Sequence, residues 1–227
     1  MKRWACARQI CVADRRFAAP GGDRFWLIVF GSPFSPAVDE LGFVRRFRTL
    51  LIMPRVSFSS STPGCDRRHW LREDDIRVVL SRLPPDACAR LRAVHFNDQS
   101  RGARTLGYVN MGHREIAICA LPPRISLSRF LVRGQSPAAF GAQRGAQWPA
   151  LAVRRFMLYD VFLHELSHLQ LVNPRTNDPR RRFAMERLAQ EFADSWRRAL
   201  WAEHFQHPDP VHNSPSDECA GKIQPIA

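Results

Sequence analysis

Hydrophobic residues recur at helical spacing in three stretches of this chain and concentrate in strand-like runs in three more. The first helical stretch is "REDDIRVVLSRLPPD", in which Ile76, Val79, Leu80 and Leu83 share a face. Glu73, Asp74 and Asp75 stand where negative charge favours a helix N-terminus, and Pro84-Pro85 stops the run. The second stretch, "WPALAVRRFMLYDVFLHELSHLQLV", predicts one long and very apolar helix. Pro149 sits near its first turn, where proline is tolerated, and Asn173-Pro174 closes it. The third, "RRFAMERLAQEFADSWRRALWAEHF", predicts a further helix with Phe183, Leu188, Phe192, Trp196 and Leu200 largely on one side.

The strand-like runs come earlier. "ARLRAVHFND" leads into a strand over Ala93 to Phe96, and "TLGYVNM" and "REIAICAL", joined by Gly112-His113, predict a hairpin that Pro122-Pro123 ends. "RISLSRFLV" predicts a short helix. "RGQSPAAFGAQRGAQ" predicts a loop long enough to invite a functional reading.

Outside these stretches neither period is sustained. Residues 1–65 are basic and rich in proline, glycine and serine, and predict a poorly ordered N-terminal extension. Residues 66–205 carry the periodic elements and predict the catalytic domain, and 206–227, polar and proline-rich, a disordered tail. A chain of 227 residues suits one globular core with such extensions.

Composition narrows the classes. The longest apolar run near the start, "FWLIVF", has six residues against the roughly 20 that span a bilayer. A membrane partner is therefore not expected. The six cysteines are scattered with no Cys-x-x-Cys pair, which excludes a zinc ribbon or dithiol redox site and points to reduced thiols in the cytoplasm. The formal net charge is +13, and all but two of the 34 basic residues are arginine. An arginine-rich surface implies non-specific association with nucleic acid, although no recognition motif accompanies the charge. The oligomeric state has no signature in the chain.

The chemistry lies in the apolar helix. His164, Glu165 and His168 place three groups that are costly to desolvate at its centre, where each needs a partner. His164 to His168 is H-E-x-x-H: four residues advance a helix by about 400°, so both imidazoles leave one face a turn apart, ready to share one zinc ion. Glu165 projects beside them, placed to act as base toward a metal-activated water. A catalytic zinc usually has three protein ligands. No histidine lies between His168 and His204, so the candidates for the third are Glu186 and Glu191 on the next helix, then His204. Against either glutamate stands a solvated helix face, paired with Arg182, Arg187 or Arg197.

This motif followed by "ERLAQEFA" (Glu186 to Ala193) resembles the gluzincin-type zinc metallopeptidases, over roughly residues 75–203. The resemblance implies an α+β, minimal zincin-like fold: a small antiparallel or mixed sheet packed on the H-E-x-x-H helix, with a following helix carrying the third ligand. It implies zinc held by His164, His168 and Glu186, hydrolysis of protein or peptide substrates with Glu165 as general base, and Ala189 packed against the metal helix. Gln190 falls where the family places an Asp or Asn that steadies a zinc-binding histidine, and Asp160 is a second orienting candidate. A strand edge before the metal helix would receive substrate backbone, with Arg114 to Cys119 nearest the cleft. Tyr108, Tyr159, His95 and His113 are candidates to stabilise an oxyanion. Two neighbouring classes share the motif order: SprT-like DNA-linked proteases, whose third histidine this chain lacks, and ImmA-type regulatory proteases. A basic nucleic-acid-associated protein with a non-catalytic zinc is the rival from another class.

Overall fold

The computed structural model describes residues 6–7, 55–98, 105–171, 178–202 and 207–215. Its contacts divide the chain into one unit made of Met1–Ile10 and Met53–Ala227 and a second, Cys11–Ile52, which lies outside the described residues. The larger unit is mixed α/β. Its strands are β1 (Cys6–Ala7), β2 (Ser57–Ser60), β3 (Ala93–Asn97), β4 (Gly107–Asn110) and β5 (Glu115–Cys119), in the order β1-β4-β5-β3-β2.

The predicted hairpin is present. β4 and β5 pair antiparallel, with Tyr108 opposite Ala117 and Val109 opposite Ile116, and Arg114 in the turn takes φ 60°. β3 runs parallel to β5 on its other side, β2 parallel to β3, and β1 antiparallel to β4, so β4, β5 and β3 are interior strands. Alternation sorts most side chains between a core face and a more accessible one, while β5 is buried on both faces. Val94, Phe96, Val109, Ile116 and Ile118 are buried in the core, whereas Ser59, His95 and Tyr108 alternate with them and remain at least partly accessible.

β2 lies inside the stretch read as a disordered extension, which corrects the 1–65 boundary. Its backbone is tied down by Ser57 N–H to Arg92 O at 2.9 Å and Ser61 N–H to Phe96 O at 2.8 Å. An edge strand half in solvent needs little apolar pattern, and "SFSS" has only Phe58 to show. Apart from the β1 backbone, residues 1–54 of that predicted extension lie outside the described set.

The helices are α1 (Glu73–Arg82), α2 (Pro85–Cys88), α3 (Ala150–Phe156), α4 (Leu163–Gln170) and α5 (Pro179–Ala202). α3 and α4 belong to one continuous helix, joined by a π-helical segment, Met157–Phe162, whose six residues are all buried. An i→i+5 turn holds more residues than an α turn. The apolar residues upstream and the histidines downstream therefore need not share one α-helical phase. "RISLSRFLV" contributes only a single 3-10 turn, Ser128–Phe130.

α5 departs from the predicted face. Phe183 is 69% and Leu188 38% exposed, Phe192 and Trp196 are half-buried, and the buried side is Ala189, Gln190, Ala193, Arg197 and Leu200. Small side chains let α5 approach α4 closely, and the polar ones find partners across the contact, so bulk was a poor guide.

The predicted tail also needs correction, because residues 207–215 pack on the domain. Arg154 pairs with Asp209 and with Asp75, each at 2.9 Å. Tyr159 O–H donates to His212 O at 3.1 Å, Arg155 to Pro210 O at 3.1 Å, and Val211 and His212 are buried. Charge and backbone contacts hold this segment rather than an apolar stripe, which is why its composition reads as disordered. Residues 203–206 and 216–227 lie outside the described set. Among described residues no helix is long and apolar enough to cross a membrane, and Cys65, Cys88 and Cys119 are free thiols.

Candidate metal centre

α4 sets its two histidines one turn apart on one face. The two Nε2 atoms stand 3.2 Å from each other, with the rings near perpendicular at 78°. α5 brings Glu186 to the same point. Its Oε2 is 3.2 Å from His164 Nε2, and its Oε1 3.6 Å from His168 Nε2. Each of the three residues offers a ligand atom, all within 4.8 Å of one another.

These separations test whether a metal fits. Ligand atoms about 2.1 Å from a tetrahedral ion stand roughly 3.4 Å apart. The imidazole nitrogens, 3.2 Å apart, and the two Glu186 oxygens, one 3.2 Å from His164 and the other 3.6 Å from His168, lie near that value, and single ligand atoms of all three residues fall within 4.8 Å. The donor set, two imidazoles and a carboxylate, suits a divalent borderline ion such as zinc. The arrangement can hold one.

Burial pushes the Glu186 carboxyl upward, but hydrogen bonds to His164 and His168 and their positive charge outweigh it and hold the group well below the usual carboxylate range. A bound ion would take the place of those ring protons, because imidazole ligands are neutral. The side chain of His164 is 4% exposed and that of Glu186 43%, so the cluster opens to solvent on the α5 side.

Glu165 is buried on a different flank. Gly107 of β4 lies against it: a Cβ added at Gly107 would stand 3.4 Å from Glu165 Cγ and 2.9 Å from Val161 Cγ1. Cys119 of β5 is close enough for the Glu165 charge to act on it. Burial first, and that carboxylate second, push its thiol up to about 12. The strand packed on α4 is therefore β4, and both β4, between β1 and β5, and β5, between β4 and β3, are paired on both sides. This corrects the expectation that the hairpin containing Arg114 to Cys119 offers a free strand edge before the metal-motif helix.

The remaining predicted residues are distributed as follows. Glu191 is exposed and pairs with Arg187 at 3.7 Å, away from the cluster. His204 lies outside the described residues. Gln190 Nε2 donates to Asp160 Oδ1 at 2.7 Å, so the two orienting candidates bond to each other. His164 Nδ1 is buried and meets no hydrogen-bond acceptor among the described residues. Tyr108 O–H accepts from Asn97 Nδ2, Tyr159 is engaged with His212, His95 contacts Ser59 and Glu115, and His113 is exposed in the hairpin turn. None of these contacts involves the cluster.

Three further residues join the site's buried flank: Gln135, Asp194 and Arg197. Asp194 and Arg197 were open to detection, being four and seven residues after Gln190 on one helix. Gln135 sits in an irregular loop and had no such signal. Comparison of the chain with known family models, curated proteins and solved structures yields no match.

Proposed function

We propose that the protein is a zinc-dependent metallopeptidase of the gluzincin type, built on a zincin-like α+β domain. The observation that carries this reading is the convergence of His164, His168 and Glu186 ligand atoms within 4.8 Å, on adjacent helices, from an H-E-x-x-H motif and the helix after it. His164, His168 and Glu186 would hold zinc. The ion supplies a Lewis acid that polarises a carbonyl oxygen and lowers the pKa of water.

The chain's own residues do the rest. Glu165 accepts the proton of the attacking water and delivers it to the leaving amine. Its burial beside Gly107 and Cys119 keeps the carboxylate in a restricted, poorly hydrated position. The ionised Glu186 balances the ion's charge.

Metal content by mass spectrometry, followed by hydrolysis of a quenched peptide library, tests the reading. Glu165→Gln is expected to keep zinc and lose hydrolysis. A variant that cleaves as fast as wild type, or a wild type that takes up no zinc, overturns it.

A second reading is favoured by the net charge of +13: association with nucleic acid through the arginine-rich surface. DNA affinity that falls steeply with added salt supports it, and indifference to DNA removes it.

A further inference from the structure

Two polar stripes face each other along the contact between the metal helix and α5. On the metal helix they are Asp160, His164 and His168, at steps of four. On α5 they are Glu186, Gln190, Asp194 and Arg197, at offsets of 4, 8 and 11 residues, which an α-helix gathers within an arc of about 80°. One end of this seam is the metal cluster. The other end is a buried polar network that the chemistry of hydrolysis does not use.

Asp160, at its centre, is fully buried. Its Oδ1 accepts from Gln190 Nε2 at 2.7 Å and from Gln135 Nε2 at 2.7 Å. Asp194 Oδ1 accepts from Gln135 Nε2 at 3.1 Å, from Gln190 Nε2 at 3.4 Å, and from Arg197 Nη2 at 2.9 Å. Arg197 Nη1 lies 4.0 Å from Asp160 Oδ1, and its guanidinium stands 4.8 Å from the centre of the Phe140 ring. Gln135 is held in turn by its own loop, where its Oε1 accepts from Val132 N–H at 3.2 Å. Two carboxylates with a single guanidinium and two amides thus tie three separate pieces of chain together. A desolvated arrangement of this kind is tolerated only when its members keep their places.

We propose that Gln135 and Arg197 are positioning residues for the metal centre. With Asp160, Gln190 and Asp194 they close the buried end of the seam and set the rotation of α5 that presents Glu186 to His164 and His168. The inference rests on the metal-binding reading of the cluster. Geometry favours it over general packing. Gln190 is one turn from Glu186 and Asp160 one turn from His164, so a shift of either partner in the network is carried directly to a ligand. Within two turns of Glu186 the fully buried apolar residues of α5 are the small Ala189 and Ala193; Leu200 and Trp201, the latter against Phe140 and Tyr159, anchor the helix farther from the ligand.

The test uses Arg197→Met and Gln135→Leu in the full chain. Zinc affinity, measured by competition with a chromophoric chelator, is expected to fall about 10- to 100-fold in both, the range typical for loss of outer-shell partners. The visible spectrum of the cobalt-substituted protein should lose intensity as the Glu186 carboxylate leaves its place. Arg197→Met/Asp194→Asn, which removes one charge of each sign, should recover part of the affinity. In the metal-free protein the 15N shift of His164 Nε2 reports its contact with Glu186, and Arg197→Met should move it. Variants that fold less stably yet bind zinc within twofold of wild type, with an unchanged cobalt spectrum, would reduce the network to mere stabilisation. If wild type takes up no zinc, the metallopeptidase reading fails, and the metal-free shift alone decides this proposal. An unmoved shift overturns it. Should Arg197→Met fail to fold, Gln135→Leu carries the same measurements.

Discussion

Gly107→Ala probes a close approach of the sheet to the H-E-x-x-H helix. The added methyl would stand 2.9 Å from Val161 Cγ1, 3.1 Å from the Ala117 carbonyl oxygen and 3.4 Å from Glu165 Cγ. The first distance is well inside van der Waals contact, and Val161 is a fully buried, stiff β-branched residue of the π segment. Overpacking of this kind costs about 1–3 kcal/mol. Replacing a strand glycine by alanine otherwise gains about 0.5–1 kcal/mol of unfolded-chain entropy. The clash outweighs it across nearly all of that range, leaving a net loss of up to about 2.5 kcal/mol, or up to roughly 10 °C in Tm for a domain of this size. Thermal unfolding followed by circular dichroism reads the sign directly. Val161→Ala in the same chain should relieve the clash, so the pair couples favourably by about 1 kcal/mol. A Gly107→Ala protein that melts at or above wild type would refute the described packing. It would place β4 farther from α4, and with it the setting of Glu165.

Glu165→Gln should retain zinc while hydrolysis falls by about 10²- to 10⁴-fold, the usual contribution of a general base, as read by kcat at saturating peptide. Glu186→Ala should lose most bound metal and Glu191→Ala none, because only Glu186 joins the cluster; elemental analysis of the two proteins distinguishes them. Asp75→Asn should destabilise the fold by about 1–3 kcal/mol near neutral pH, since it weakens hydrogen bonds to charged partners. For Asp75, burial pushes the carboxyl up, but His212, the Arg72 N–H and Arg154 outweigh it and the net shift is downward. A depressed carboxyl stabilises above its unfolded value, near 3.8, and loses that contribution as pH falls through its folded value. The deficit of Asp75→Asn should therefore shrink below about pH 4 in a Tm-versus-pH series; a gap constant down to pH 2 contradicts the assignment.

Much of the interior was readable from periodicity because burial imposes it. Ile76, Val79 and Leu80 on α1, the β4–β5 hairpin and the apolar metal helix follow from spacing and turn residues alone. The pairing of His164 with His168 is a property of one helix, so four-residue spacing suffices. Glu186 needed more, since only packing decides which glutamate of α5 turns inward. The failures share a cause. β2, the buried face of α5 and the segment 207–215 are held by backbone pairing, small residues and ion pairs, which leave no hydrophobic period to detect. Gln135 is further removed still, as its role depends on where an irregular loop comes to rest.

The clasp of Arg154 on Asp209 constrains anyone who would shorten this polypeptide. Trimming at the apparent end of α5 would strip the cover from Tyr159 and leave Arg154 and Arg155 short of acceptors beneath it. Fragments meant for crystallisation or activity screening should therefore retain the chain at least through Asn213, however dispensable its prolines and aspartates look on paper.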